Sequence, residues 1–155
     1  MEASKLISFF EEDLCIFHLR SRKKISALTE IVHHLALQKR ISDERFILDM
    51  LKNRENLGST GLGNGVAFPH GRSLAIKELT VLFARSAAGV DFEALDGKPT
   101  HVFFLILAPS DKGSETYLAI LSELIGLIQK PAKLKALNET VDFPSLVGIF
   151  EGKDD

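Results

Sequence analysis

The chain has 155 residues, 45% of them hydrophobic and 26% charged, and its 19 Lys and Arg against 21 Asp and Glu leave a net charge of -2. That balance gives no electrostatic ground for nucleic acid or an anionic membrane as the main partner. The longest apolar run, Val102 to Ala108, is far short of the roughly 20 residues that span a bilayer. Cys15 is the only cysteine, which excludes an internal disulfide and a cysteine metal cage. Met1 to Lys5 lacks the apolar region of a secretory signal. The expectation is one cytoplasmic domain over residues 1–155.

Leu14 to Phe17 is a short apolar run that places His18 in an early strand, followed by the basic stretch Arg20 to Lys24, read as a solvated turn. Ile25, Leu28, Ile31, Val32, Leu35 and Ala36 recur at helical spacing, with Ser21 as the candidate cap. A second helix is expected after Ser42, with Asp43 and Glu44 in its first turn and an apolar stripe of Phe46, Ile47, Met50 and Leu51. Leu79, Val81 and Phe83 alternate as in a strand, and Val102 to Leu107 reads as a strand buried on both faces, with a turn at Asp96-Gly97 between them. Leu118, Leu121, Leu124, Ile125 and Ile128 predict a further helix. Pro131 opens another, and Asp142 caps a last one containing Leu146, Ile149 and Phe150. Helices on both sides of central strands give an α/β fold, a mixed β-sheet flanked by helices.

The most unusual stretch is Gly58 to Arg72, where five of fifteen residues are glycine and His70 stands between Pro69 and Gly71. Gly61, Gly63 and Gly65 permit positive φ, so backbone N–H groups around Asn64 can converge on one point. Ser59 and Thr60 add hydroxyls, and Arg54 and Arg72 add forked cations, which together suit a doubly charged phosphoryl group. The stretch lacks the Gly-Lys-Ser/Thr of a P-loop, and its glycines are too close for the dinucleotide fingerprint. A neutral imidazole can accept a phosphoryl group on one ring nitrogen while a hydrogen bond holds the other. Pro69 stiffens the approach, and Gly71 is expected to clear bulk beside the ring for a partner protein. From the residues alone, His70 is either such an acceptor or an ordinary loop histidine.

Glu55 to Gly71 resembles the active-site signature of the enzyme IIA domains of the fructose/mannitol class of the bacterial phosphoenolpyruvate-dependent phosphotransferase system, and is most similar to its stand-alone nitrogen-regulatory branch. Val90 to Pro99, the strand to Pro109 and the helical rhythm of Tyr117 to Ile128 extend the resemblance along nearly the whole chain. Phe68 departs from the smaller aliphatic residue usual there. The resemblance implies that His70 accepts a phosphoryl group from an HPr-type phosphocarrier and that Arg54 helps hold it, with no metal and no organic cofactor. A second histidine, which family members carry at the start of the helix after the Ala-Pro strand end, is replaced by Tyr117. Its hydroxyl is a donor but not a cation, and His18, His33, His34 and His101 do not take its place. The leading function is a regulatory phosphoryl carrier acting on target proteins, since no IIB or membrane IIC segment follows before Asp155. The alternatives are a sugar-specific IIA that passes phosphate to a separate IIB, and a degenerate protein-binding module that no longer carries phosphate.

Overall fold

Strand β6 (Thr100–Ala108) is the axis of the fold. The structure, a computed structural model, describes residues 3–152. On one side β6 pairs antiparallel with β5 (Thr80–Val90), outside which β1 (Cys15–Ile16) runs parallel. On its other side β6 pairs parallel with two short strands laid end to end, β3 (Val66–Ala67) and β4 (His70–Arg72). Strand β2 (Gly61–Gly63) closes that edge by pairing antiparallel with β3. The sheet is mixed, as expected, and both of its faces are covered.

The strand period of two divides the core. Val102, Phe104, Ile106 and Ala108 face a layer made by α1 (Ala3–Leu6), α4 (Ser114–Ile128), α5 (Pro131–Glu139) and α6 (Phe143–Phe150). Phe103, Leu105 and Leu107 face α2 (Lys24–Leu37) and α3 (Glu44–Asn56). Helix starts follow local chemistry: the Asp142 carboxylate accepts from the Ser145 N–H at 2.9 Å, and Pro131 opens α5, where its missing N–H costs no helical bond.

Several expectations are corrected. Asp43 caps α3 from outside, accepting from the Phe46 N–H at 3.0 Å, rather than sitting in its first turn. Ser21 does not cap α2. Its hydroxyl donates to Glu30 at 2.7 Å and its N–H to the same carboxylate at 2.9 Å, while α2 begins after Lys23 without a side-chain cap. His18 lies in the bend after β1, not in the strand. Lys24, expected in a solvated run, is buried. The stripe on α4 is rotated: Tyr117, Ile120, Leu124 and Leu127 are buried, while Leu118 is 61% exposed and Ile125 38%.

Strands β3 and β4 share one register on β6, with Val66 opposite Val102, Ala67 opposite Phe103, His70 opposite Ile106 and Arg72 opposite Ala108. Phe68 and Pro69 interrupt the ladder between them. Proline has no N–H to give, and the Phe68 N–H turns outward to the Thr60 carbonyl at 3.0 Å. The Pro69 carbonyl still accepts from Ile106 at 3.0 Å, so the interruption does not slip the pairing.

Candidate functional site

His70 and Arg72 share the face of β4 that looks toward α4, and Gly71 points the other way. A Cβ on Gly71 would come within 2.5 Å of Met50 Cε, so this glycine makes room for α3 rather than for a partner beside the ring, which corrects the expectation. The Phe68 carbonyl lies 2.8 Å from His70 Nδ1. A carbonyl only accepts, so Nδ1 carries the proton and the neutral ring keeps its lone pair on Nε2. The half-buried ring lines a cleft of about 210 Å³ with Arg54, Ser59, Thr60, Leu62, Phe68, and with Leu121 and Ile125 from α4. Phe68 itself packs inward, stacked on Phe104 with ring centres 5.6 Å apart, so the larger side chain at this position is absorbed by the core.

The glycine segment folds differently from a free anion cradle. Gly63 and Gly65 take φ of +101° and +79°, and Asn64 between them +57°, which makes the tip of a tight β2–β3 hairpin. The Asn64 N–H donates to Asp96 at 3.1 Å, and the Gly61 N–H to the Ser59 hydroxyl at 3.0 Å. Backbone N–H groups of Lys98 and Asn64 hold the Asp96 carboxyl below its ordinary range. Ser59 donates to the Phe92 carbonyl at 3.1 Å, and Thr60 gives its N–H and hydroxyl to Glu55. The loop hydroxyls and three of its N–H groups are thus engaged in building the hairpin.

Glu55 is the residue whose part the sequence reading missed. Its buried carboxylate lies 3.0 Å from Lys24 Nζ, and Lys24 sits 5.0 Å from the centre of the Phe92 ring. This cluster ties the start of α2, the end of α3 and the segment entering β2 into one unit behind the cleft. Arg54, the preceding residue, remains at the surface of the cleft with one nitrogen donating to the Gly58 carbonyl at 2.9 Å. Arg72 directs Nε and Nη2 to the Pro109 carbonyl at 3.1 and 2.8 Å, so these donors are held away from the glycine loop. Tyr117, at the position lacking histidine, stands with its ring centre 6.5 Å from that of His70. Burial pushes its phenol above the ordinary range, and the nearby charges of Arg72 and Arg54 oppose that shift.

The remaining histidines lie elsewhere. His33 pairs with Glu44 at 3.1 Å, His34 Nε2 meets the Asp13 carbonyl at 2.7 Å, and His101 Nδ1 meets the Ser86 carbonyl at 2.8 Å. Burial pushes the Cys15 thiol up to about 12, which keeps it unreactive near neutral pH. Among the described residues, no group of three or more His, Cys, Asp or Glu is placed to hold a metal ion, and no helix is long and apolar enough to cross a membrane.

A mixed sheet between two helical layers thus sets a histidine, fixed through its Nδ1, beside an arginine in one cleft. The family model described as "Phosphoenolpyruvate-dependent sugar phosphotransferase system, EIIA 2" matches residues 8–152, and the chain belongs to this family. It is 33% identical over 132 residues to a nitrogen regulatory protein of Bradyrhizobium diazoefficiens, covering 85% of each chain. It is also 31% identical over 137 residues to the fructose-specific EIIABC component of Bacillus subtilis, covering 88% of this chain but only 21% of that protein. The crystal structure of the nitrogen regulatory protein IIA-Ntr from Neisseria meningitidis superposes with a TM-score of 0.84 at 29% identity, over 92% of this chain and 97% of that one.

Proposed function

We propose that the chain is a cytoplasmic phosphoryl carrier whose His70 Nε2 accepts a phosphoryl group from the phosphohistidine of an HPr-type phosphocarrier. The observation that carries this reading is the bond from His70 Nδ1 to the Phe68 carbonyl, which leaves Nε2 as the nucleophile in a ring lining the cleft beside Arg54. In the transfer, the lone pair of Nε2 forms a bond to phosphorus as the donor's N–P bond breaks. The proton on Nδ1 stays in place, held by a carbonyl that becomes a better partner as the ring gains positive character. Arg54 supplies positive charge to the oxygens of the moving group, where a cation placed in advance lowers the barrier.

Similarity over 85% of both chains to a nitrogen regulatory protein supports a regulatory role, in which the two phosphorylation states bind target proteins differently. Similarity to a fructose-specific component supports the second reading, a sugar-specific IIA that hands the group to a separate IIB. The test is incubation with enzyme I, an HPr-type carrier and phosphoenolpyruvate, followed by intact mass. One added phosphoryl group is expected, labile in acid and stable in alkali, as a phosphoimidazole is and a phosphoserine is not. An unmodified chain, or an acid-stable adduct on Ser59 or Thr60, overturns the proposal. Transfer onward to a IIB domain supplied in trans separates the two roles.

A further inference from the structure

Arg72 joins three parts of the molecule that meet at His70. It lies two residues beyond the histidine on the same face of β4, yet its guanidinium is turned toward the chain that opens α4. Nε and Nη2 converge on the Pro109 carbonyl, and Nη2 also reaches the Lys112 carbonyl at 3.2 Å. Helix α4 begins after Gly113, a residue at φ +74° with no side-chain cap, so little local chemistry fastens this turn. The same guanidinium stands 5.4 Å from the centre of the Tyr117 ring, on the first turn of α4, where the Tyr117 N–H donates to the Gly113 carbonyl at 3.0 Å. Further along that helix, Leu121 and Ile125 form a wall of the His70 cleft.

We propose that Arg72 is a positioning residue for phosphoryl transfer at His70: its fork fastens the Pro109–Gly113 turn to β4 and so sets the place of Tyr117 and of the α4 wall against the imidazole. The planar guanidinium suits this task, because one side chain meets two carbonyls in fixed directions while its face packs on an aromatic ring. The proposal rests on His70 being the phosphoryl acceptor and adds a residue that acts through another rather than on the phosphoryl group.

The chain offers its own probe, since Tyr117 is the sole tyrosine and there is no tryptophan. Acrylamide quenching of tyrosine fluorescence in the unphosphorylated protein therefore reports the packing of this one ring. Wild type, Arg72→Gln and Arg72→Lys are compared by this measurement and by the kinetics of transfer from the phosphorylated carrier. Both variants should expose Tyr117 to the quencher. Their maximal rate should fall on the order of 10- to 10²-fold, as small displacements near a reacting centre produce. The KM for the donor should move by less than about twofold, because the effect falls on the transfer step at His70.

Lysine keeps the charge and loses the fork, so a slow Arg72→Lys separates holding from electrostatics. A wild-type rate in Arg72→Lys overturns the proposal. So do slow variants whose Tyr117 quenching is unchanged, since Arg72 would then act without fastening that ring, and so do variants unchanged in rate. A wild-type chain that takes no phosphoryl group removes the acceptor role of His70 and this proposal with it. That result is distinct from failure of the fastening alone, in which the wild type is phosphorylated and the variants match it.

Discussion

His70 and His101 are bonded alike and placed differently. Each is half-buried, and each holds Nδ1 at 2.8 Å from a backbone carbonyl, that of Phe68 for His70 and that of Ser86 for His101. Each carbonyl selects the same neutral tautomer. Around His101, however, the chain closes in: Cβ atoms on Gly89 and Gly65 would lie 3.0 and 3.7 Å from its ring, so the imidazole fits against bare backbone. Around His70 the chain opens into a cleft that holds an arginine. A carbonyl on Nδ1 thus orients a ring in either setting. Reactivity needs, in addition, a space for the incoming group and a cation facing that space.

Three perturbations break or sharpen this contrast. The largest effect is expected from His70→Ala, which should abolish phosphorylation by the donor carrier, whereas His101→Ala should accept one group at close to the wild-type rate while losing thermal stability. Intact mass and a thermal melt read both results, and a phosphorylation defect confined to His101→Ala would reverse the assignment. Next comes Arg54→Ala, expected to slow transfer on the order of 10²-fold, as loss of one preorganised donor does at other sites of developing charge. Arg54→Lys should also be slow because the fork is lost. Its fold should survive, since the hydrogen bond from Arg54 to Gly58 is exposed and such a bond contributes about 1 kcal/mol or less; rapid-quench kinetics and circular dichroism check the two parts.

The smallest effect belongs to the hairpin whose Gly65 carbonyl accepts from the His101 N–H at 2.8 Å. Asp96, which holds the tip of that hairpin, has its carboxyl lowered from an ordinary value of 3.8. A group lowered in the folded state stabilises above its unfolded value and loses that contribution as pH falls through the folded one. Asp96→Asn should therefore melt slightly below wild type at pH 6, and the difference should shrink as pH is taken below 3.8. A gap that stays constant down to pH 2 would mean that the Asp96 charge has no part in holding the hairpin.

Much of this is legible in the sequence, for reasons that differ by element. Val102 to Leu107 could only be a strand covered on both sides, and Asp142 and Pro131 mark helix starts through chemistry local to the chain. His70 stood out because Pro69 and Gly71 flank it after a glycine run. Apolar residues lie around much of helix α4, so spacing predicts the helix without fixing which side is buried. Leu118 and Ile125, part of the spacing that predicts this helix, are exposed, and Ile125 lines the cleft. The pairing of Lys24 with Glu55 joins two helices and lies outside any local pattern. Local spacing suits Arg72 to a phosphoryl group, whereas the carbonyls that take its Nε and Nη2, of Pro109 and Lys112, lie 37 and 40 residues away.

The shared register of β3 and β4 makes the orientation of the imidazole a matter of parity. Two residues, Phe68 and Pro69, separate the strands, and an even number returns the chain to β6 with His70 on the α4 side. One residue more or fewer would turn the imidazole through the sheet toward Met50 and aim its neighbour at the cleft. This short connection can accordingly vary in the kind of side chain it carries, as Phe68 illustrates, but its length can change only in steps of two.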